Sequence, residues 1–167
     1  MANEIDQFIA GWNREAEGTA KLLRTLPANQ YDFRPDAGGR SLGELAWHLA
    51  EIDGYVSLGL EHGDFDKAGK PPGIERPRVV AELAPGYERI HADAVARVKK
   101  LTPQDLKRNI KFFGGRDMMI ENVLWGALLH HSIHHRGQLV LMCRLAGGTP
   151  PGLMGPSREE MAARAQA

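Results

Sequence analysis

Apolar residues recur at three- and four-residue steps in four stretches of the chain, the period of a helix with one buried face. In the first, Ile5, Phe8, Trp12, Ala16, Thr19, Leu23 and Leu26 share a stripe. Asn3 is placed to cap its start and Pro27 to stop it. The second opens on Ser41-Leu42-Gly43-Glu44, which reads as a capping box. There the serine hydroxyl and the glutamate carboxylate each accept a bond from the other's amide. Leu45, His48, Leu49, Ile52 and Val56 follow on one face, and His62-Gly63 supplies a left-handed stop. The third stretch carries Val80, Leu83, Tyr87, Ile90, Ala94, Val98 and Leu101, and Pro85 inside it is expected to kink or delay the helix. The fourth runs from about Met118 to Leu145 and ends at Gly147-Gly148.

The segments between are polar and rich in Gly and Pro. Thr102-Pro103 predicts a short extra turn over TPQDLKR, and KFFGGRD reads as a plain connection. The tail after Gly148 is irregular until Ser157, which is placed to cap a short terminal helix. No repeat or linker divides the chain. The expected fold is all-α: one domain over residues 1–167, a four-helix bundle with a short extra C-terminal helix.

Composition narrows the function. Basic and acidic residues balance at 21 each, so the chain carries no electrostatic footprint for nucleic acid or an anionic membrane surface. Met1 to Trp12 lacks a basic region followed by an apolar run, and no apolar stretch is long enough to span a bilayer. Cys143 is the one cysteine, so no intramolecular disulfide forms; it is expected to be buried and structural. The expectation is a cytoplasmic protein without a nucleic-acid or membrane partner.

Candidate chemistry is concentrated in LLHHSIHHRGQL, from Leu128 to Leu139, which holds four of the seven histidines. His131 and His135 continue the apolar stripe of Leu124, Leu128, Leu139 and Met142, stacked one turn apart. Such a pair can bind one divalent ion, and His48, on the inner stripe of the second helix, is the natural third ligand. The competing reading is three hydrogen-bonded core histidines. It would leave several buried ring nitrogens each needing a separate partner.

The strings RSLGELAWHLAEID, HHSIHHRGQL and LAGGTPPGLMGPSREE, with QYDFRPDAGGRS before the second helix, resemble the DinB/YfiT-like family from about Leu26 to Glu160. The resemblance implies a four-helix bundle, often a homodimer, with a three-histidine metal site. On this sequence its ligands are His48, His131 and His135; nickel, zinc and iron all suit such imidazole donors. His130 and His134 are then packing or surface residues, and His62 a helix-end residue. His91 is a candidate for supporting the site from the third helix.

The same resemblance covers thiol-dependent transferases. The expected activity is therefore activation of a low-molecular-weight thiol, or of water, toward a small-molecule substrate. A metal-dependent hydrolase and a non-catalytic metal-binding module are the alternatives. A hydrolase should show a free base near the metal, a thiol transferase a pocket with basic groups, and a binding module a fourth protein ligand. Glu51 is the candidate base, and Gln138 is placed to bond a ligand or a bound water. Glu44 is expected to be occupied by capping. Arg136 is expected in a helix-surface or dimer salt bridge, or on an anionic substrate. Gly137 is expected to allow close helix approach, and Trp47, Tyr55 and Trp125 to line a pocket or the core.

Overall fold

Asn3 accepts the Asp6 amide at 2.9 Å and starts α1, Glu4–Leu23. The second helix, α2, spans Leu42–His62. Both halves of its capping box form, at 2.7 and 3.2 Å, and Gly63 ends it with φ 78°. A single 3-10 turn, Val80–Glu82, precedes α3, Leu83–Val98. Pro85 therefore falls in the first turn of α3, where its missing N–H costs nothing, and it delays the helix without kinking it. Leu101 lies past the end of α3 and is half-buried.

The computed structural model describes residues 3–166. Its fold is a four-helix bundle in which α2 packs against α3 on one side and the fourth helix on the other, with α1 closing the bundle. The fourth helix, α4, covers residues 120–145 in three contiguous pieces. These are a first turn Ile120–Asn122, a π-helical stretch Val123–His130, and an α-helix His131–Leu145. A short α5, Arg158–Ala165, starts from a second complete capping box at Ser157 and Glu160. Among the described residues no helix is long and apolar enough to cross a membrane.

KFFGGRD is not a plain connection. It is the tip of a hairpin, β1 (Asn109–Phe112) against β2 (Arg116–Met119), paired from Asn109 with Met119 to Phe112 with Arg116. Gly114 and Gly115 both take φ 71°, which permits the reversal. Met118 belongs to β2, and α4 starts at Ile120. Backbone bonds Phe65 N–Lys111 O (2.8 Å) and Lys111 N–Gly63 O (3.1 Å) tie the hairpin to the end of α2.

Trp12 and Trp47 are the largest side chains wholly inside. Trp47 donates to the Ile74 carbonyl at 3.0 Å, and its ring lies where a Cβ on Gly86 would come within 2.6 Å. It is a core residue and lines no substrate pocket beside the histidines. Trp125, by contrast, is 45% exposed, with its ring edge-on to Phe8.

Arg136 corrects the sequence reading most. It is 4% exposed and bonds to α1, to the Glu15 carbonyl at 2.7 Å and to the Glu15 carboxylate. Gly18 leaves the room, since a Cβ there would stand 3.1 Å from the guanidinium. The residue is neither on the surface nor free for an anion. Replacing it with Ala strands the Glu15 groups and opens a void, so Arg136→Ala should lose about 3 kcal/mol of stability. Arg136→Met, which keeps the volume, should lose less. Urea unfolding measures both; a parental midpoint in the Ala variant would show that the pair contributes nothing.

Candidate metal centre

Three side chains from two helices converge. His48 lies two turns into α2, and His131 and His135 lie one turn apart at the start of the regular part of α4. One ring nitrogen of each falls within 4.8 Å of the others. The His48 ring meets His135 at 4.7 Å and His131 at 5.6 Å between centroids, edge-on in both cases. No fourth His, Cys, Asp or Glu joins the group among the described residues.

Two of the rings are oriented through their other nitrogen. His48 Nδ1–H donates to Glu51 Oε2 at 3.1 Å, and His135 Nδ1–H to Gln138 Oε1 at 2.7 Å. Ala127 favours a protonated His131 ring, against its burial. The Gln138 bond fixes the His135 tautomer and turns its Nε2 lone pair toward His131 Nε2, 2.9 Å away. With His131 Nε2 also unprotonated, the two lone pairs would repel without a cation between them. Tetrahedral ligands about 2.05 Å from an ion stand about 3.3 Å apart, so the donor set fits a divalent metal.

The site rests on a run of alternating charge. Arg34 pairs with Glu44 at 2.8 Å, Glu44 with Arg76 at 3.4 Å, and Arg76 with Glu51 at 3.2 Å. Burial raises the Glu51 pKa, but the bonds from His48 and Arg76 outweigh it and hold the carboxyl below its ordinary value. Glu51, the candidate base, is thus held as an anion, with one oxygen bonded by His48 and the other by Arg76. Glu44 serves both the capping box and this network, and the Ser41 amide leads the effects that lower its pKa.

The group opens onto a cavity of about 560 Å³, walled by Ile52, Tyr55 and Val56 of α2, Ala127 of α4, and Phe112 and Phe113 of the hairpin. Arg40, the residue before the α2 cap, borders it. It also borders a second hollow of about 300 Å³ with Gln138, Leu141 and Leu145.

The DinB family model matches residues 1–166. The chain belongs to the DinB family. YrdA of Bacillus subtilis (strain 168), an uncharacterized protein, is 30% identical over 165 residues, 97% of this chain and 95% of YrdA. A crystal structure of a DinB-like protein from Bacillus cereus ATCC 10987 is 31% identical with a TM-score of 0.71, covering 87% of this chain and 94% of that one. YfiT from Bacillus subtilis, described as a probable metal-dependent hydrolase with an unusual four-helix bundle topology, shares the fold. Its TM-score is 0.67 at 16% identity, over 89% of this chain and 92% of YfiT.

Other predicted residues of this DinB chain fall outside the group. His130 packs near Trp125, and His134 stands edge-on to His135 from an exposed position. His62 ends α2. His91 is committed to Asp53 (2.8 Å) and Asn13 (2.9 Å), under the rings of Trp12 and Tyr87, so it supports the bundle and bonds none of the three converging histidines. Asp53 is fully buried, and burial drives its pKa up against the bond from His91. Gly137 is exposed, and a Cβ there would meet nothing, so it permits no close helix approach. Cys143 is buried, and burial pushes its thiol pKa up. Sequence reasoning missed Arg76, Arg40, Phe112 and Phe113. The aromatic pair in KFFGG was the one signal for them.

Burial lowers the pKa of His131, assisted by the neighbouring charge of His48. Burial also lowers that of His135, to about 4, with the Gln138 bond opposing and His48 and His131 adding. A folded pKa below the unfolded value of about 6.5 means that the unfolded chain binds the proton first. The contribution to stability is full above about pH 6.5 and is lost as pH falls toward 4. In metal-free protein the His135 ring protons should titrate near pH 4 by NMR. A midpoint at the ordinary histidine value would contradict this environment.

Proposed function

We propose that this protein is a metal-dependent enzyme that activates a thiol for transfer to a small electrophile at His48, His131 and His135. The observation that carries the reading is the trio itself, with His48 and His135 oriented from behind and no fourth protein ligand among the described residues. A closed, purely structural site would have one. A divalent ion on three neutral imidazoles keeps its full charge and lowers the pKa of a bound thiol or water toward neutrality. Nickel, zinc and iron all suit this donor set.

The chain's own residues then supply orientation and exclusion. Glu51 and Gln138 hold the ligand rings, and Glu51, already paired with Arg76, is not free to take a proton from water. Two hollows meet at Arg40, which suits a reaction of two substrates better than hydrolysis of one. A metal-dependent hydrolase is the second reading, favoured by the description of YfiT, whose fold this chain shares. Incubating metal-loaded protein with a panel of thiols and electrophiles separates them. A thioether product supports transfer, and product formed equally without thiol supports hydrolysis.

His48→Ala, His131→Ala and His135→Ala should each lose stoichiometric metal while remaining folded, and His130→Ala and His134→Ala should keep it. Elemental analysis of the purified variants reads this directly. Metal retained in His131→Ala but lost in His130→Ala would assign the wrong pair. Glu51→Gln should weaken metal binding by about 10- to 100-fold, because it removes the charge behind His48.

The protein is further proposed to work as a homodimer, by its resemblance to the family; Leu141 and Leu145, 60% and 56% exposed along α4, leave an apolar strip for such contact. Sedimentation at micromolar concentration should show twice the 18.4 kDa chain mass; only the single-chain mass would reject it.

A further inference from the structure

The 560 Å³ cavity is larger and more apolar than a thiolate needs, and its walls come from different parts of the chain. The inner wall is α2. The outer wall is the hairpin tip, where Phe65, Phe112 and Phe113 meet tilted or edge-on at centroid distances of 4.8 to 5.1 Å. Phe65 is buried and Phe113 is 47% exposed, so a firmly seated aromatic cluster presents one ring at the cavity mouth. Water gains little from such a surface, and an apolar ligand would cover it.

Charge at the mouth is unbalanced. Glu51 faces the cavity with its charge matched by Arg76, and Arg34 is matched by Glu44. Arg40 lines the same cavity and has no carboxylate or hydrogen-bond partner among the described residues. Its guanidinium is a planar fork of donors with the geometry of a carboxylate.

We propose that this cavity binds the electrophilic substrate, and that the substrate is an apolar, preferably aromatic, molecule carrying one carboxylate. The apolar body lies between Tyr55, Val56 and Phe113, and the carboxylate meets Arg40 beside His131. This rests on the metal-dependent reading for the reaction but not for the binding, because neither Arg40 nor Phe113 is a ligand. It makes Arg40 and Phe113 specificity-determining residues.

The test is calorimetric titration with 4-phenylbutyrate, 4-phenylbutan-1-ol and butyrate, on zinc-loaded and on chelator-treated protein. Phenylbutyrate should bind at least tenfold tighter than the alcohol in both forms, and butyrate should bind too weakly to measure. Arg40→Gln should bring phenylbutyrate down to the affinity of the alcohol and leave the alcohol unchanged. Phe113→Ser should weaken both aromatic probes. Each variant is also assayed for zinc, which should stay at the parental level. Equal binding of acid and alcohol would overturn the proposal. So would discrimination that survives Arg40→Gln, or that vanishes with the metal, since the carboxylate would then sit on the ion. A chain that takes up no zinc, yet discriminates the probes through Arg40, would sink the metal reading and leave this one standing.

Discussion

The rotational setting of α4 determines the site, and the buried contact of Arg136 with Glu15 holds it. Neighbouring residues on an α-helix point about 100° apart. With the Arg136 guanidinium clasped to α1, His135 is turned away from α1 and toward α2, where His48 waits. His131 follows one turn earlier on the same side. A charge buried in a bundle is expensive unless it is fully bonded, and this one takes both a carbonyl and a carboxylate of one residue. The bond therefore acts as a register pin, since rotating α4 would pull the guanidinium off both Glu15 oxygens.

The π-helical stretch Val123–His130 adjusts the same helix from its other end. Leu124 and Leu128 are buried while Trp125 stands out in solvent, so the stretch still seals the core. Its wider turns end at the residue before His131, where regular α-helix resumes. Departures of this kind cluster at functional sites because they re-aim side chains without breaking the helix. Here the change of pitch falls directly before His131 and His135, and Ala127, within the stretch, favours the protonated His131 ring.

Much of the bundle could be read from local chemistry. Ser41 and Glu44, Asn3, Gly63 and Ser157 each act within four residues of their partners, so sequence spacing exposes them. The histidine trio was legible because helical period puts His131 and His135 on one side, even though that side borders the core stripe. What stayed hidden depends on contacts across the chain. Arg136 looks like a surface charge until Glu15, 121 residues away, is seen beside it. Arg76 lies in a proline-rich loop with no period to betray its approach to Glu51 and Glu44. The hairpin strands are four residues each, too short for alternation to stand out from a loop. Its position over the cavity is set by backbone bonds to Gly63 and Phe65 that no motif announces.

These hidden contacts explain how one site can combine a fixed set of histidine donors with an open cavity. The His48 and His135 rings are held from behind by Glu51 and Gln138, each on the same helix as the ring it orients. Orientation is therefore intrahelical and would persist if the hairpin moved. The outer cavity wall is carried by the hairpin, which is anchored to the end of α2 and bears none of the converging histidines. Changes at Phe112 or Phe113 can reshape the cavity without disturbing the donor set, because the two share no hydrogen bond. Glu51 and Arg76 mark where the two functions meet. Their pair lines the cavity on one side and fixes His48 on the other, so it cannot change its charge without affecting both.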